Sequence, residues 1–185
     1  VKVSMTFDSN MRFSASVMSQ VLPRLTALEH KAWLAQVRDW AEDADERDIV
    51  HQDVGDRLLA AHVIHDMWIA TEGNAVIVTD VGQHQMWEAQ YFWHTKPRGL
   101  TTSGGLGTMG YAIPAAVGAK AGAPDELVVA IDGDGCFQMT LNEMSTAAQH
   151  GAAVVTVVAN NGQYGTIRMH QENHYPGRSA RLRIA

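Results

Sequence analysis

The spacing of apolar side chains divides the chain into a helical first part and an alternating second part. Residues 14–40 carry apolar residues every three or four positions, which predicts one or two amphipathic helices. An acidic run over residues 39–48 is interpreted as a solvated connector, and a second helix is predicted to begin near Asp56. We therefore expect residues 1–55 to form a helical lead-in with an acidic linker, the end of a preceding domain, and residues 56–185 to form the main domain.

Beyond Gly73 the pattern changes to short, nearly continuous apolar runs separated by helical stretches. The predicted strands are residues 75–79, 127–131 and 153–158, and the predicted helices are residues 85–91, 109–121 and 141–150. A capping box formed by Thr140 and Glu143 is expected to start the last helix. Apolar runs without alternation are typical of strands covered on both faces. The sequence therefore predicts an α/β fold with three layers, a parallel sheet with helices on both faces.

Composition argues against two classes of function. A formal net charge of −6 disfavours phosphate-driven binding to nucleic acid, and no apolar run reaches the roughly 20 residues of a membrane span. Residues 1–10 lack the basic and apolar segments of a signal peptide, and the single Cys136 has no partner for an internal disulfide. We therefore expect a cytoplasmic protein that binds neither nucleic acid nor membrane.

Two predicted strands end in residues that can hold a metal ion and a phosphate. The strand at 127–131 runs into Asp132-Gly133-Asp134-Gly135, and the next strand ends in Asn160-Asn161-Gly162. Open α/β sheets bind ligands at the carboxyl ends of their strands. Carboxylate and amide oxygens suit Mg²⁺, and glycines let a diphosphate approach the backbone. By itself Gly-Asp-Gly also fits an ordinary strand-to-loop turn, so the Asn pair favours the metal site.

Two further segments add candidate ligand-binding groups. Val81-Gly82-Gln83-His84 follows the first predicted strand and opens a helix, where backbone N–H groups and the helix dipole favour an anion. Gly105-x-Gly107-x-x-Gly110 matches a dinucleotide-binding fingerprint, so a nicotinamide-dependent dehydrogenase is an alternative. Against that alternative, residues 98–103 make a poor buried strand, and Pro114 should interrupt the helix that follows.

These motifs together resemble the cofactor-binding half of thiamine-diphosphate (ThDP) enzymes. Gly-Asp-Gly followed by the Asn pair resembles their cofactor motif, and residues 81–87 and 102–110 are similar to acetolactate synthases. The resemblance runs from about His65 to His170 and implies the ThDP-binding fold. It further implies that Asp134, the Asn161 side chain and the Gln163 carbonyl bind Mg²⁺, that Gln83, His84, Gly135, Cys136 and Gly165 lie along the diphosphate, and that Gly107 and Met109 bracket the aminopyrimidine.

The implied function is the ThDP- and Mg²⁺-binding (pyrophosphate) domain of an acetolactate synthase-like enzyme. Such enzymes belong to branched-chain amino acid biosynthesis, where they decarboxylate a 2-keto acid and join the product to a second carbonyl compound. In that family a separate pyrimidine-binding domain, often from another subunit of an oligomer, supplies the glutamate that triggers ylide formation. The sequence lacks that domain, so no catalytic residue is assigned, and the chain alone is expected to be inactive.

Two alternatives stay open at this level. Another ThDP-dependent decarboxylase or lyase is possible because His170 stands where acetolactate synthases have a tryptophan that shapes the second-substrate pocket. A non-catalytic truncated fragment is the other, because family members continue beyond the position of Ala185 and the sheet is expected to be incomplete at its C-terminus.

Overall fold

The computed structural model of the chain describes residues 31–46, 48–178 and 183–184. The chain divides into two compact units, residues 1–47 and residues 48–185. The described part of the first unit is one helix, α1 (Lys31–Glu46), whose side chains are all exposed. The acidic run is therefore helical as far as Glu46, because solvated acidic side chains between alanines do not prevent helix formation.

The rest of the predicted N-terminal helical region, residues 14–30, lies outside the described residues. Across the described part of the chain, no helix combines the length and the apolar character needed to cross a bilayer.

The second unit alternates helices and strands. In chain order its elements are a 3₁₀ turn (Ile49–His51), α2 (Ala60–Thr71), β1 (Val76–Thr79), α3 (Gln83–Tyr91), β2 (Leu100–Thr102), α4 (Ala112–Gly122), β3 (Val128–Gly133), α5 (Asp134–Thr140), α6 (Glu143–Gln149), β4 (Val155–Ala159) and α7 (Gly165–His174). The strands form one parallel sheet in the order β2-β1-β3-β4. The predicted α/β class is confirmed.

Alternate residues of β1 and β3 face two separate apolar cores. On one face, Ile77 and Ile131 pack in a buried cluster with residues of α2 and α3. On the other face, Val78 and Ala130 pack with Ile113 and its neighbours in α4. Every residue of both strands is buried, as expected for strands covered on both sides. The predicted three-layer arrangement of helix, sheet and helix is therefore confirmed.

One of the two observations against the dinucleotide fingerprint is wrong. Residues 98–103 do not form a buried strand, since β2 within them is a three-residue edge strand without a buried residue that pairs in parallel with β1, but the expected helix break at Pro114 does not occur. As an edge strand β2 needs no continuous apolar run, and its Thr102 hydroxyl accepts hydrogen bonds from Thr79 Oγ1 (2.6 Å) and Gln85 Nε2 (2.8 Å). Pro114 lies in the first turn of α4, where a missing backbone N–H breaks no helical hydrogen bond.

The predicted helix over residues 141–150 is wrong at its start. α5 follows β3 without a loop and ends at Thr140, while α6 begins at Glu143. The capping box does not form, because the Glu143 carboxylate accepts hydrogen bonds from Asn142 Nδ2 (3.1 Å) and Thr146 Oγ1 (2.9 Å) instead. Because α5 follows β3 directly, Asp134 is the first residue of a helix at the carboxyl end of that strand.

Candidate functional site

The carboxyl ends of β1, β3 and β4 open into one cavity of about 260 Å³. All ten residues that the sequence assigned to the cofactor or the metal line it, namely Gln83, His84, Gly107, Met109, Asp134, Gly135, Cys136, Asn161, Gln163 and Gly165. They come from segments far apart along the chain, and the parallel sheet brings them to one edge. The structure thus brings all of the predicted site residues together.

The three predicted metal ligands lie on the wall formed by the ends of β3 and β4. Asp134 is largely buried, and its Oδ2 accepts a hydrogen bond from the Gly162 N–H (2.8 Å). Asn161 is exposed, and its Oδ1 accepts from the Gln163 N–H (3.1 Å). Each of these oxygens keeps a lone pair for a further partner. Together with a backbone carbonyl they form an all-oxygen donor set, which fits Mg²⁺.

Two glycines of the cavity wall lie in close contact with neighbouring side chains. A Cβ on Gly165 would overlap Gln83 Oε1, because the Gln83 amide packs directly on the Gly165 backbone. A Cβ on Gly135 would lie 2.7 Å from both Ile184 Cδ1 and the Tyr164 ring. Any side chain at either position would displace these neighbours. The bare backbone at these positions also allows a diphosphate to approach closely.

The His84 imidazole is held between two other glycines. A Cβ on Gly82 would lie 2.8 Å from His84 Cε1, and a Cβ on Gly133 would lie 2.9 Å from the same atom. The ring is 5% exposed, and its Nε2 is buried without a hydrogen-bond partner. Burial lowers the pKa of His84, against the opposing effect of Asp80 and Asp134. The imidazole is therefore neutral at physiological pH.

Asp80 was not predicted from the sequence, and its side chain accepts backbone hydrogen bonds from two segments beside the cavity. It is fully buried at the end of β1. Its Oδ1 accepts hydrogen bonds from the N–H groups of Val81 (2.8 Å) and Gly110 (3.0 Å), and its Oδ2 accepts from that of Ala112 (2.7 Å). Asp80 thus ties β1 to the segment that carries Gly107 and Met109. Its only sequence signal is its position directly after an apolar strand.

Asp132 is the second buried carboxyl group that was missed. It lies within β3, is fully buried, and neither of its oxygens has a hydrogen-bond partner. Burial, together with the nearby Asp80, raises the pKa of Asp132 to about 7. The sequence gives no indication that this side chain turns inward, because Asp132 follows the predicted strand at 127–131 and directly precedes the Gly-Asp-Gly motif.

Cys136 lies beside these two carboxyl groups. Its thiol is buried and donates a hydrogen bond to the Val81 carbonyl (3.3 Å). Burial and the neighbouring Asp80 raise its pKa. At neutral pH the side chain in this structure is therefore a thiol, which is a weak nucleophile.

Comparison with known proteins identifies the cavity. Residues 80–183, more than half of the chain, match the family described as "Thiamine pyrophosphate enzyme, C-terminal TPP binding domain". The chain belongs to this family. Thiamine pyrophosphate (TPP) is ThDP under another name, so the predicted family and cofactor are confirmed. The match also decides against the dinucleotide-binding alternative.

Relatives of this TPP-binding domain are acetolactate synthases. The chain is 50% identical over 130 residues to the acetolactate synthase large subunit of Corynebacterium glutamicum, covering 70% of this chain and 21% of that protein. It is 39% identical over 166 residues to the acetolactate synthase isozyme 3 large subunit of Escherichia coli, covering 88% of this chain and 29% of that protein. A chloroplastic acetolactate synthase of Nicotiana tabacum is 41% identical over 145 residues, covering 76% of this chain and 22% of that protein. The chain therefore spans less than a third of the length of these relatives.

Proposed function

We propose that the cavity binds the diphosphate of ThDP through Mg²⁺, and that this domain serves an acetolactate synthase-like enzyme. The observation that carries the proposal is the convergence of all ten assigned residues on one cavity at the carboxyl edge of the sheet. Membership in the TPP-binding family supports the cofactor, and the all-oxygen set around Asp134 supports the metal.

The proposed roles follow the position of each residue on the cavity wall. Mg²⁺ is bound by Asp134, the Asn161 amide oxygen and the Gln163 carbonyl; the diphosphate lies along Gln83, His84, Gly135, Cys136 and Gly165; and the aminopyrimidine lies against Gly107 and Met109. Gln83 supports this assignment, because its side chain packs on Gly165 at the cavity wall and its amide N–H groups can donate to an anion. Asp80 supports the pyrimidine side indirectly, because it holds the Gly110 N–H.

Bound ThDP supplies the electron sink for decarboxylation of a 2-keto acid and for carbon–carbon bond formation. The residues of this chain orient the cofactor and hold its metal ion. We further propose that a pyrimidine-binding domain or subunit supplies the catalytic glutamate, and that the assembled enzyme is a cytoplasmic oligomer. The names of the relatives support this architecture, since acetolactate synthase large subunits are several times longer than the matched region.

Calorimetric titration of the purified chain with ThDP tests the cofactor role. We expect Mg²⁺-dependent binding at millimolar ligand, weak because in our proposal a pyrimidine-binding domain contributes the other half of the site. Asp134→Asn, which removes the charge and keeps the shape, should weaken binding at least about 10-fold, the lower range for loss of a group that supports a metal. The matched control is Asp53→Asn, since Asp53 is an exposed aspartate that also accepts a backbone N–H, from Gly55.

Binding of equal strength in excess EDTA, or an unchanged affinity in Asp134→Asn, would contradict the metal role. Absence of any binding at millimolar ThDP and Mg²⁺ would favour the non-catalytic fragment. The 185-residue chain alone should not consume pyruvate, because no glutamate is among the described residues that line the cavity. Measurable pyruvate consumption by the purified chain would contradict the proposed division of the active site.

A further inference from the structure

A second set of metal-binding side chains lies beneath the floor of the cavity. The ligand atoms of Asp80, His84, Asp132 and Cys136 all lie within 4.8 Å of one another, and all four residues are buried. We call these four side chains the inner cluster. They come from the ends of β1 and β3 and from the first turns of α3 and α5, so the fold itself brings them together.

Several atoms of the inner cluster have no partner. Both carboxylate oxygens of Asp132 and the Nε2 atom of His84 are buried and make no hydrogen bond. Burial of an unpartnered carboxylate is costly, because the group loses its hydration and gains nothing in return. These atoms therefore indicate a partner that lies between the four side chains.

The other two residues can each contribute one atom as well. Asp80 Oδ2 accepts a single hydrogen bond, from Ala112, and so keeps one lone pair. The Cys136 thiol has the Val81 carbonyl as its hydrogen-bond acceptor, and loss of the thiol proton to solvent would turn the sulfur into a metal ligand. The inner cluster thus offers one sulfur, one nitrogen and two oxygen ligands without disturbing the backbone contacts of Asp80.

We propose that in the ThDP-free chain the inner cluster is a binding site for Zn²⁺ or a similar borderline-soft divalent ion, separate from the magnesium-binding residues around Asp134. Because the His84 side chain is also assigned to the diphosphate, ThDP and this ion exclude each other at that residue. Thiolate, imidazole and carboxylate are the ligands of tetrahedral zinc sites, whereas Mg²⁺ selects oxygen alone. Zinc bonds of about 2.0–2.3 Å place the ligand atoms roughly 3.3–3.8 Å apart. From a present spacing of at most 4.8 Å, small side-chain movements close the site.

An ion can reach the inner cluster through the cavity. His84 and Cys136 line the cavity wall, while Asp80 and Asp132 lie fully buried behind them. Once bound, the ion joins the ends of β1 and β3 and fixes the imidazole ring between Gly82 and Gly133. No electron transfer is involved, and the only chemical change is release of bound protons to solvent.

Cobalt substitution tests the site in the complete 185-residue chain. The chain is stripped with EDTA, dialysed to remove the chelator, and titrated with Co²⁺. We expect an absorption band from thiolate-to-cobalt charge transfer and the visible bands of a tetrahedral ion, reaching about one equivalent per chain. Because Cys136 is the only cysteine, a thiolate band identifies its sulfur as the ligand. Zn²⁺ added in excess should abolish both sets of bands.

Two variants test the ligand set. Cys136→Ser should lose the charge-transfer band, and Asp132→Asn should bind Co²⁺ and Zn²⁺ at least about 10-fold more weakly. Circular dichroism shows whether each variant is folded. Absence of a thiolate band in the wild-type chain would overturn the proposal whatever the variants do.

The matched control removes a surface histidine pair that lies outside the cavity. His170 and His174 lie one helical turn apart on the exposed surface of α7, with ring centroids 4.4 Å apart, and such a pair can chelate a metal ion. The double variant His170→Ala/His174→Ala should leave the cobalt spectrum and the zinc stoichiometry unchanged. Loss of the bound ion in this variant alone would assign the metal to the surface and overturn the inner cluster.

Discussion

Asp132 and Asp134 stand two positions apart, yet they lie in opposite environments. Asp134 begins α5 at the cavity, where its two oxygens accept the N–H groups of Gly135 (3.0 Å) and Gly162 (2.8 Å). Asp132 still belongs to β3 and lies in the interior with neither oxygen partnered. The direct passage from strand to helix at Gly133 separates them. One short motif therefore supplies both an outer and an inner set of polar groups.

The two sets also differ in the cation that they can select. The outer set of Asp134, Asn161 and Gln163 offers only oxygen and is open to the cavity, which suits a metal that shares its ligands with phosphate. The inner cluster adds a sulfur and a nitrogen and is buried, and this ligand set suits zinc-type ions. Asp132 and Asp134 are the same residue type, so their different surroundings decide which cation each can bind. Asp132 precedes Gly133 in the buried strand, and Asp134 follows Gly133 at the cavity.

Among substitutions in the inner cluster, removal of the Asp80 carboxyl group should cause the largest loss of stability. Asp80→Ala leaves the N–H groups of Val81, Gly110 and Ala112 without an acceptor, so we expect a loss of about 3–5 kcal/mol in the free energy of unfolding. Urea denaturation followed by circular dichroism measures it. Asp53→Ala is the control, because that exposed side chain accepts one N–H and should cost no more than about 0.5 kcal/mol. Similar costs for the two variants would contradict the structural role of Asp80.

The pH dependence of stability tests the burial of Asp132. Its pKa is raised from 3.8 to about 7, so between these values the unfolded chain ionises at Asp132 while the folded chain keeps the proton. The stability contributed by the protonated group is complete below the unfolded pKa and is lost as pH rises through the folded pKa. We expect the metal-free wild-type chain to lose about 1–3 kcal/mol relative to Asp132→Asn between about pH 4 and pH 8.

Urea denaturation of both proteins in EDTA over this pH range measures the difference. The comparison uses the pH dependence alone, because the buried Asn amide has its own constant cost. Parallel curves for the two proteins would show that Asp132 is hydrated in the folded state. Saturating Zn²⁺ should reduce the decline in the wild-type chain if the inner cluster binds the ion, because a cation favours the ionised carboxylate.

The sequence predicted the strands with continuous apolar runs. β1 and β3 were recognised because buried strands are apolar along their whole length, and β4 was recognised from the same kind of apolar run, although it lies at the sheet edge and none of its residues is buried. β2 was missed because a three-residue edge strand with threonines carries no apolar signal. α5 was missed because Gly-Asp-Gly resembles a turn, and only the packing at the end of β3 makes this segment helical.

The sequence likewise predicted the outer set of polar groups, whereas it missed the two carboxyl groups of the inner cluster, Asp80 and Asp132. The residues around Asp134 and Asn161 stand in motifs, and a parallel sheet brings strand ends together whatever its details. Asp80 and Asp132 stand beside apolar strands without any motif, and their inward direction depends on where each strand ends. The contact of Ile184 with Gly135 was also beyond prediction, because it depends on an isolated bridge between Gln163 and Arg183.

Gly133→Ala tests whether the position between Asp132 of the inner cluster and Asp134 of the outer set requires glycine. The φ angle of −94° is open to any residue, but a Cβ would lie 2.9 Å from His84 Cε1, and Gly82 blocks the ring on its other side. We expect Gly133→Ala to cost about 1–3 kcal/mol in stability, the usual range for overpacking. Urea denaturation measures the cost.

The control for this substitution is Gly118→Ala, which lies in α4 with no atom within 4 Å of the added Cβ. This exposed helical position should gain up to about 1 kcal/mol, because alanine loses less backbone entropy than glycine. If Gly133→Ala proved as stable as the wild type, the imidazole would have room to move and would not be fixed between the two glycines.

Substitution of Ile184, which lies beside the outer set, should have the smallest effect on stability and ThDP affinity. Its side chain packs on the Gly135 backbone and its N–H donates to the Gly162 carbonyl (3.0 Å), so the side chain covers part of the wall assigned to the diphosphate. Ile184→Ala keeps the backbone bond and exposes Gly135. We expect a stability loss of no more than about 1 kcal/mol, because the side chain is only partly buried. Affinity for ThDP with Mg²⁺ should rise by up to about 3-fold, since a shift of this size needs less than 1 kcal/mol.

Ile69→Ala is the matched control for Ile184→Ala, because Ile69 is 54% exposed on α2 and does not line the cavity. Calorimetry with both variants separates a local effect on the ligand from a general effect of losing an isoleucine. Weaker ThDP binding in Ile184→Ala alone would mean that Ile184 contacts the bound cofactor instead of covering its site. That result would make Ile184 part of the outer set. The Gly162 backbone would then connect it to Asp134, because the Gly162 N–H donates to Asp134 Oδ2 and the Gly162 carbonyl accepts from the Ile184 N–H.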